Sequence, residues 1–289
     1  MVGIIIKAYG GFYFVQTGDR ILKCVIRGKI RRRHGQVLVG DRVRVNPAGE
    51  GEGVVEDILP RASELVRPPV ANVDQAVIVF SINDPRPNTM LLDRFLLQAR
   101  AAGIEPVICF NKIDLAAAGE LDILRHYEPT GYPLLRVSAQ KGTNIDDLRE
   151  LLKERISVLA GPSGVGKSSL LNALQPGLKL KTGEISRKLK RGRHTTRHVE
   201  LIPLAAGGLV ADTPGFSSMY LPPVRREELP GYYPEFDDYA PRCRFTGCLH
   251  YREPGCAVKD AVEDGRISLL RYEHYLELLE EVMEAERRH

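Results

Sequence analysis

The sequence predicts a chain of three parts: a small β-barrel, a parallel α/β domain of the phosphate-loop class, and a short helical segment organised around a metal. Three observations carry this. Residues 1 to about 66 fall into short strands with turns about every eight to twelve residues, the pattern of a small barrel. From Val73 long apolar strands alternate with helical stretches, as a parallel sheet requires. Three of the five cysteines then lie between positions 243 and 256.

Composition sets the bounds. At 289 residues the chain exceeds an ordinary single domain, and a hydrophobic fraction of 43% supports real cores. The net charge of +4 is mild, so the clustering of basic residues matters more than their sum. No run of eighteen apolar residues occurs, and the opening stretch 1–6 is too short for a signal peptide, so a cytoplasmic chain with no membrane partner is expected. Cysteines in that setting point to thiols or metal ligands rather than disulfides.

In the first part, strands are expected at about 4–8, 12–15, 21–26, 41–45 and 53–58. Five strands of this length suit an oligonucleotide-binding type β-barrel over residues 1–68. Residues 27–34 carry five Lys or Arg in their first seven positions, which suits a phosphate backbone and equally a solvated loop. Cys24 is expected in the core of its strand. Of Tyr13 and Phe14, one could stack on bases and the other belongs to the core. Residues 67–69, Arg-Pro-Pro, look like a linker.

The second part, 69–218, holds the chemistry. A buried strand over 75–81 and an amphipathic helix over 91–102 precede the strand 106–110. That strand runs into Asn111-Lys112-Ile113-Asp114. An Asp carboxylate there accepts the N1–H and N2 amino hydrogens that guanine offers side by side. Adenine would leave that acceptor pair unpaired, and such sites reject the analogue by roughly 10⁴-fold. Lys112 would lie along the base, and Asn111 would tie the base loop to the phosphate loop. Ser138-Ala139-Gln140 follows the next strand, where a backbone N–H can meet the guanine O6. Asn144 is expected to cap the helix that follows.

The phosphate loop comes later. Gly161-Pro162-Ser163-Gly164-Val165-Gly166-Lys167-Ser168-Ser169 fits G-x-x-x-x-G-K-[ST], between a buried strand at 156–160 and a helix from about 170. Its glycines let backbone N–H groups converge, and the helix N-terminus adds about half a positive charge. Lys167 would reach the β- and γ-phosphates, and Ser168 would ligate Mg²⁺. Residues 181–198 carry seven Lys or Arg and a single acid, as a basic first-switch loop would. Thr195 or Thr196 is the candidate second hydroxyl on Mg²⁺. Asp212-Thr213-Pro214-Gly215, at the end of an apolar strand, matches the switch that meets Mg²⁺ through water (Asp212) and the γ-phosphate (Gly215). Phe216 occupies the place where Ras-like enzymes carry a water-orienting Gln, and His194 is the candidate replacement.

The motifs run in rotated order: guanine loop, phosphate loop, first switch, second switch. A circular permutation keeps such a site while moving the termini. It also makes the second switch lead straight into the third part, 219–289, so the γ-phosphate state is expected to bias that segment. Hydrogen exchange beyond residue 219 would then differ between the GDP and GTP states. There, Cys243, Cys248, His250 and Cys256 form Cys-x4-Cys-x-His-x5-Cys. Three thiolates and an imidazole make a closed set for one structural Zn²⁺, with no position left for a catalytic water. An amphipathic helix is expected over 267–288, with Leu269, Leu270, Tyr272, Leu276, Leu279 and Met283 near one face.

Taken together, NKID, SAQ, GPSGVGKSS and DTPG in this order, a basic barrel before them and a Cys-Cys-His-Cys segment after them resemble the circularly permuted GTPases of small-ribosomal-subunit biogenesis, the RsgA/YjeQ family. The resemblance covers essentially the whole chain. It implies a multidomain fold: an oligonucleotide-binding barrel, a circularly permuted α/β P-loop GTPase domain and a zinc-binding C-terminal helical segment. It implies GTP hydrolysis stimulated by the 30S subunit and a role late in subunit maturation. Mg²⁺ with the nucleotide, 16S rRNA as a partner and a monomeric state are expected alongside. It also implies that a first-switch histidine, here His194, stands in for the missing Gln. Trp is absent and the N-terminal extension is short, so no barrel residue is assigned to RNA. A competing reading is a nucleotide-gated RNA-binding scaffold with incidental turnover, distinguished by whether hydrolysis rises when RNA binds. A metabolic P-loop kinase would need neither the guanine loop nor the metal cluster.

Overall fold

Strand alternation builds the first domain, seen in a computed structural model that describes residues 1–66, 69–175, 177–178, 199–212 and 221–288. Strands β1 (Val2–Tyr9), β2 (Phe12–Thr17), β3 (Arg20–Ile26), β4 (Arg42–Gly49) and β5 (Glu52–Ile58) close a barrel in the order β1-β2-β3-β5-β4, with β4 returning to β1. Inward positions Ile5, Val15, Cys24, Val43, Val45 and Val55 form its core, so Cys24 is the core residue the sequence predicts. Both Tyr13 and Phe14 are committed to packing. Tyr13 is buried in the barrel, whereas Phe14 packs against the core of the next domain, so neither is an open stacking platform. The basic stretch forms helix α1 (Gly28–His34) rather than a loop, and Ile30 is the apolar residue that docks it onto the barrel.

Residues 67 and 68 of the expected linker lie outside the described residues, but the chain around them is a paired hairpin. Strand β6 (Glu64–Val66) lies antiparallel to β7 (Pro69–Ala71). The hairpin is anchored to the barrel. The Asn72 amide donates to the Gly40 carbonyl at 2.9 Å, and its oxygen accepts from the Ala62 N–H at 2.9 Å. Gly40 has φ +92°, and a Cβ there would sit 2.0 Å from the Ala71 carbonyl oxygen, so only glycine allows this approach.

The second domain is a parallel sheet of β10 (Leu134–Arg136), β9 (Glu105–Asn111), β8 (Gln75–Ser81), β11 (Ile156–Ala160) and β13 (Leu209–Asp212), with β12 (Glu200–Pro203) antiparallel on β13. Every residue of β8 is buried, as a strand covered on both faces must be. Ala76, Ile78 and Phe80 face helix α2 (Thr89–Ala101) through Leu92, Phe95 and Leu96. Val77 and Val79 face helices α3 (Ile145–Leu152) and α4 (Lys167–Leu174). Asn144 precedes α3, but its side chain does not cap the helix; it donates to the Arg136 carbonyl at 2.7 Å. Strand β12 also pairs with β1, so barrel and domain share one eleven-stranded sheet.

From residue 221 the chain forms short 3-10 turns, helix α5 (Ala257–Glu263) and helix α6 (Leu269–Arg287) around a core that takes in Leu97 of α2. Leu269 is exposed, contrary to its expected place on the apolar face, while Arg271 and His274 are buried. They are buried because Asp93 of α2 meets them: Arg271 Nη1 lies 2.5 Å and His274 Nδ1 2.6 Å from its carboxylate. Arg271 also pairs with Glu235 at 2.7 Å and lies over the Tyr233 ring. Among the described residues no helix is long and apolar enough to cross a membrane.

Candidate functional site

The parallel strands deliver their C-terminal ends to one edge, where ligands bind in open α/β sheets. Strand β9 ends at Asn111, β11 at Ala160 and β13 at Asp212, and the chain after β10 carries Ser138. All the described motif segments therefore converge although they are scattered along the chain.

Asn111 is the tie between them. It is buried, its amide donates to the Val165 carbonyl at 2.9 Å, and its oxygen accepts from the Ala139 N–H at 3.1 Å. One carboxamide thus joins the phosphate loop to the Ser138-Ala139 loop, as predicted for Asn111 toward the phosphate loop. Gly166 makes room for it. Its φ is +96°, and a Cβ there would lie 2.3 Å from Asn111 Nδ2. Asp114 is exposed, and its Oδ1 accepts the Ser138 hydroxyl at 2.5 Å; that hydroxyl accepts in turn from the Lys141 N–H at 3.1 Å. The Asp114 carboxylate is therefore oriented by the very loop expected to back the base.

The phosphate loop spans 161–166 between β11 and α4. Lys167 Nζ donates to the carbonyls of Gly161 and Pro162 at 2.7 and 2.6 Å, which places its ammonium across the loop. Ser168 sits buried in the first turn of α4, where the helix dipole favours anions.

One wall escaped the sequence reading. The loop from β8 to α2 folds back on the site: Lys112 Nζ donates to the Asp84 carbonyl, and Ser81 Oγ donates to the same oxygen at 2.8 Å. Pro85 lies 3.6 Å from where a Gly164 Cβ would be. The available signal was the turn-forming stretch Asn83-Asp84-Pro85 just after a buried strand. The backbone of Asp212 is placed beside the phosphate-loop strand by the β11–β13 pairing. His194, Thr195, Thr196 and Gly215 lie outside the described residues, as do the rest of 181–198 and Phe216.

The second site is metal-like. The ligand atoms of Cys243, Cys248, His250 and Cys256 all lie within 4.8 Å of one another. Cys243 Sγ is 3.6 Å from His250 Nδ1 and 3.9 Å from Cys256 Sγ, and His250 Nδ1 is 3.3 Å from Cys256 Sγ. A tetrahedron with metal–sulfur bonds of about 2.3 Å has edges of about 3.8 Å, so the spacing fits Zn²⁺. Burial pushes the Cys248 thiol up to about 12 and the His250 imidazole below its ordinary value, so thiolates here need a cation beside them. Helix α6 orients the ligand loop: the Tyr272 hydroxyl donates to the His250 carbonyl at 2.7 Å, and the Tyr275 hydroxyl donates to the Leu249 carbonyl.

A phosphate loop joined by one side chain to a carboxylate-bearing base loop is the construction of a GTPase, and the order of the pieces along the chain makes this a circularly permuted one. Family models agree: the RsgA GTPase model matches residues 58–222 and the RsgA N-terminal domain model matches residues 2–55. The chain belongs to the RsgA GTPase family. It is 52% identical to the small ribosomal subunit biogenesis GTPase RsgA of Moorella thermoacetica, covering 99% of both chains. Its counterpart in Carboxydothermus hydrogenoformans is 49% identical, again over 99% of both. Among solved structures, YjeQ from Thermotoga maritima superposes with a TM-score of 0.85 at 39% identity, covering 98% of each chain. YloQ, described as a circularly permuted GTPase, gives 0.83 at 41% identity, covering 98% of this chain and 95% of the other.

Proposed function

We propose that this protein binds the small ribosomal subunit through contacts that include its 16S rRNA, and hydrolyses GTP during late subunit maturation in the cytoplasm, as a monomer. The observation that carries the enzymatic part is the Asn111 tie, which sets base loop and phosphate loop at a fixed separation. The names of the relatives support the ribosomal part.

In this reading Asp114 accepts the guanine N1–H and N2 amino group, Lys112 lies along the base, and the Ala139 loop backs it. The backbone of residues 161–169 and Lys167 hold the phosphates. Mg²⁺, which neutralises charge on the phosphates when bound, would be held by Ser168, by Thr195 or Thr196, and through water by Asp212. Gly215 meets the γ-phosphate. His194 positions the attacking water, since Phe216 has no group that could. Cys243, Cys248, His250 and Cys256 hold one structural zinc.

Turnover of GTP with purified 30S subunits, with 50S subunits as control, tests the whole. A large rise with 30S alone is expected. Tight GTP-dependent 30S binding without that rise would favour the nucleotide-gated scaffold. The His194→Ala protein should bind GTP normally and lose most of the subunit-stimulated rate; a wild-type stimulated rate would remove His194 from the mechanism.

A further inference from the structure

Strand β12 is a shared strand. On one side it pairs with β13 and on the other with β1 of the barrel. One row of residues crosses all three strands: Asp212 stands opposite Glu200, and Glu200 stands opposite Lys7. Lys7 Nζ lies 3.0 Å from the Glu200 carboxylate. The chain enters β12 from the basic stretch 181–198 and leaves β13 into Asp212-Thr213-Pro214-Gly215, so these two strands are the roots of both segments assigned to the γ-phosphate.

The barrel strand is built for this position. Ile5 points into the barrel core, while Ile6, with Ile4 packed alongside, joins the GTPase core beside Val199, Leu201 and Ala211. A bulge between Ile5 and Lys7 interrupts the register of β1 on β2, and past it Lys7 reaches Glu200 instead of the barrel interior. At its other end the barrel is held by the Asn72–Gly40 bond and by Arg61, which donates to Asp41 at 2.7 Å and to the Gln36 carbonyl at 2.7 Å. It is thus attached to the GTPase domain at two separate places, one at the foot of β8 and one on β12.

The C-terminal domain is attached elsewhere. Asp93 of α2 receives Arg271, Tyr127 lies under the same guanidinium, and His126 Nδ1 meets Ser268 Oγ at 2.8 Å. Residues 126 and 127 follow the base loop in sequence, so this docking surface belongs to the base-reading half.

We propose that the barrel, in place of the segment beyond residue 219 to which the order of the motifs points, is the domain that senses the γ-phosphate, through the row Asp212–Glu200–Lys7, while the C-terminal domain rides on the base-reading half as a steady reference. A shift of β12 with nucleotide state tilts the barrel about its Gly40–Asn72 attachment. The inference rests on the GTPase reading above and on the place of Asp212 in it. Coupling of this kind needs the nucleotide to favour one arrangement of a two-state element, here the β13–β12–β1 ladder.

Hydrogen exchange on the full zinc-loaded chain tests it, with Mg²⁺ and either GDP or a non-hydrolysable GTP analogue. Slowed exchange over residues 161–174 with either nucleotide, relative to none, verifies binding; its absence would count against the GTPase reading itself. Given binding, the amides of β1 and β12 should both differ at least threefold between the two nucleotide states, and α6 should differ less than β1. A response in β12 with none in β1 overturns the proposal, and a response in α6 alone assigns sensing to the C-terminal domain instead. Lys7→Glu sets like charges opposite each other and should at least halve the β1 difference, with Lys7→Glu/Glu200→Lys restoring it. An undiminished β1 response in the single variant would also overturn the row as the route.

Discussion

Asn111 is buried with both ends of its amide engaged, so the spacing between base loop and phosphate loop depends on one side chain and on the glycine beneath it. In Gly166→Ala, the added methyl must displace Asn111 Nδ2, and an L-residue in the left-handed region costs about 1–2 kcal/mol by itself. Losing the Asn111–Val165 bond adds about 1 kcal/mol. GTP affinity, read by a fluorescent analogue, should fall at least about tenfold; an unchanged Kd would mean that the loop tolerates the methyl and that the tie is incidental. Asp114→Asn keeps an acceptor for N1–H but turns the other oxygen into a donor opposite the guanine N2 amino group, where xanthine carries its C2 carbonyl instead. GTP binding should weaken by at least about 100-fold while xanthosine triphosphate binding improves; equal GTP affinity in the two proteins would refute the base assignment.

At the scale of elements, the metal segment and α6 stand or fall together. Residues 243–256 contain no described α-helix or β-strand of their own, and their order comes from four ligand atoms and from the Tyr272 and Tyr275 hydroxyls. Structural zinc contributes its binding free energy directly to folding. Stripping the metal with a chelator should expose 243–256 to proteases and loosen α6, while GTP still binds at the phosphate loop. Metal analysis should show zinc in a 1:1 ratio to the chain, and protease resistance that survives complete zinc loss would sink the structural role. Element boundaries also show where local patterns mislead. Residues 27–34 look like a charged loop because their single apolar anchor, Ile30, carries no periodicity, yet they form a helix against the barrel.

For the whole molecule, the junction between α2 and α6 is a buried charge cluster. Asp93, Glu235 and Arg271 are all nearly inaccessible, and desolvation by burial opposes the charge on Arg271 while the two carboxylates favour it more strongly, so its pKa is raised. Breaking such a set by removing one partner costs about 3–5 kcal/mol, because uncompensated charge stays buried. Arg271→Met should therefore lower urea-unfolding stability by about that amount. Replacing Asp93, Glu235 and Arg271 together with apolar residues should recover most of it. A loss well under 1 kcal/mol in the single variant would show that the cluster is hydrated in solution.

The sequence by itself determined whatever chemistry is written at fixed spacing along a few residues: the phosphate loop, the Asn-Lys-Ile-Asp loop, the Cys-Cys-His-Cys set, and the rotated order that marks the permutation. These were legible because a turn that cradles phosphate, a carboxylate that reads guanine and a tetrahedral ligand set each demand particular residue types a few positions apart. The five barrel strands were legible for a similar reason, since alternation is local. Tertiary structure alone decided the rest. It brought the Ser81–Asp84 stretch against Lys112, committed Phe14 to the neighbouring core, and buried Arg271 where a helical pattern places a solvent-facing charge. It also joined β1 to β12 across almost two hundred positions of chain, in the pair Lys7 and Glu200. Each of these depends on which face meets which neighbour, and periodicity tells a residue's face but not what that face will touch.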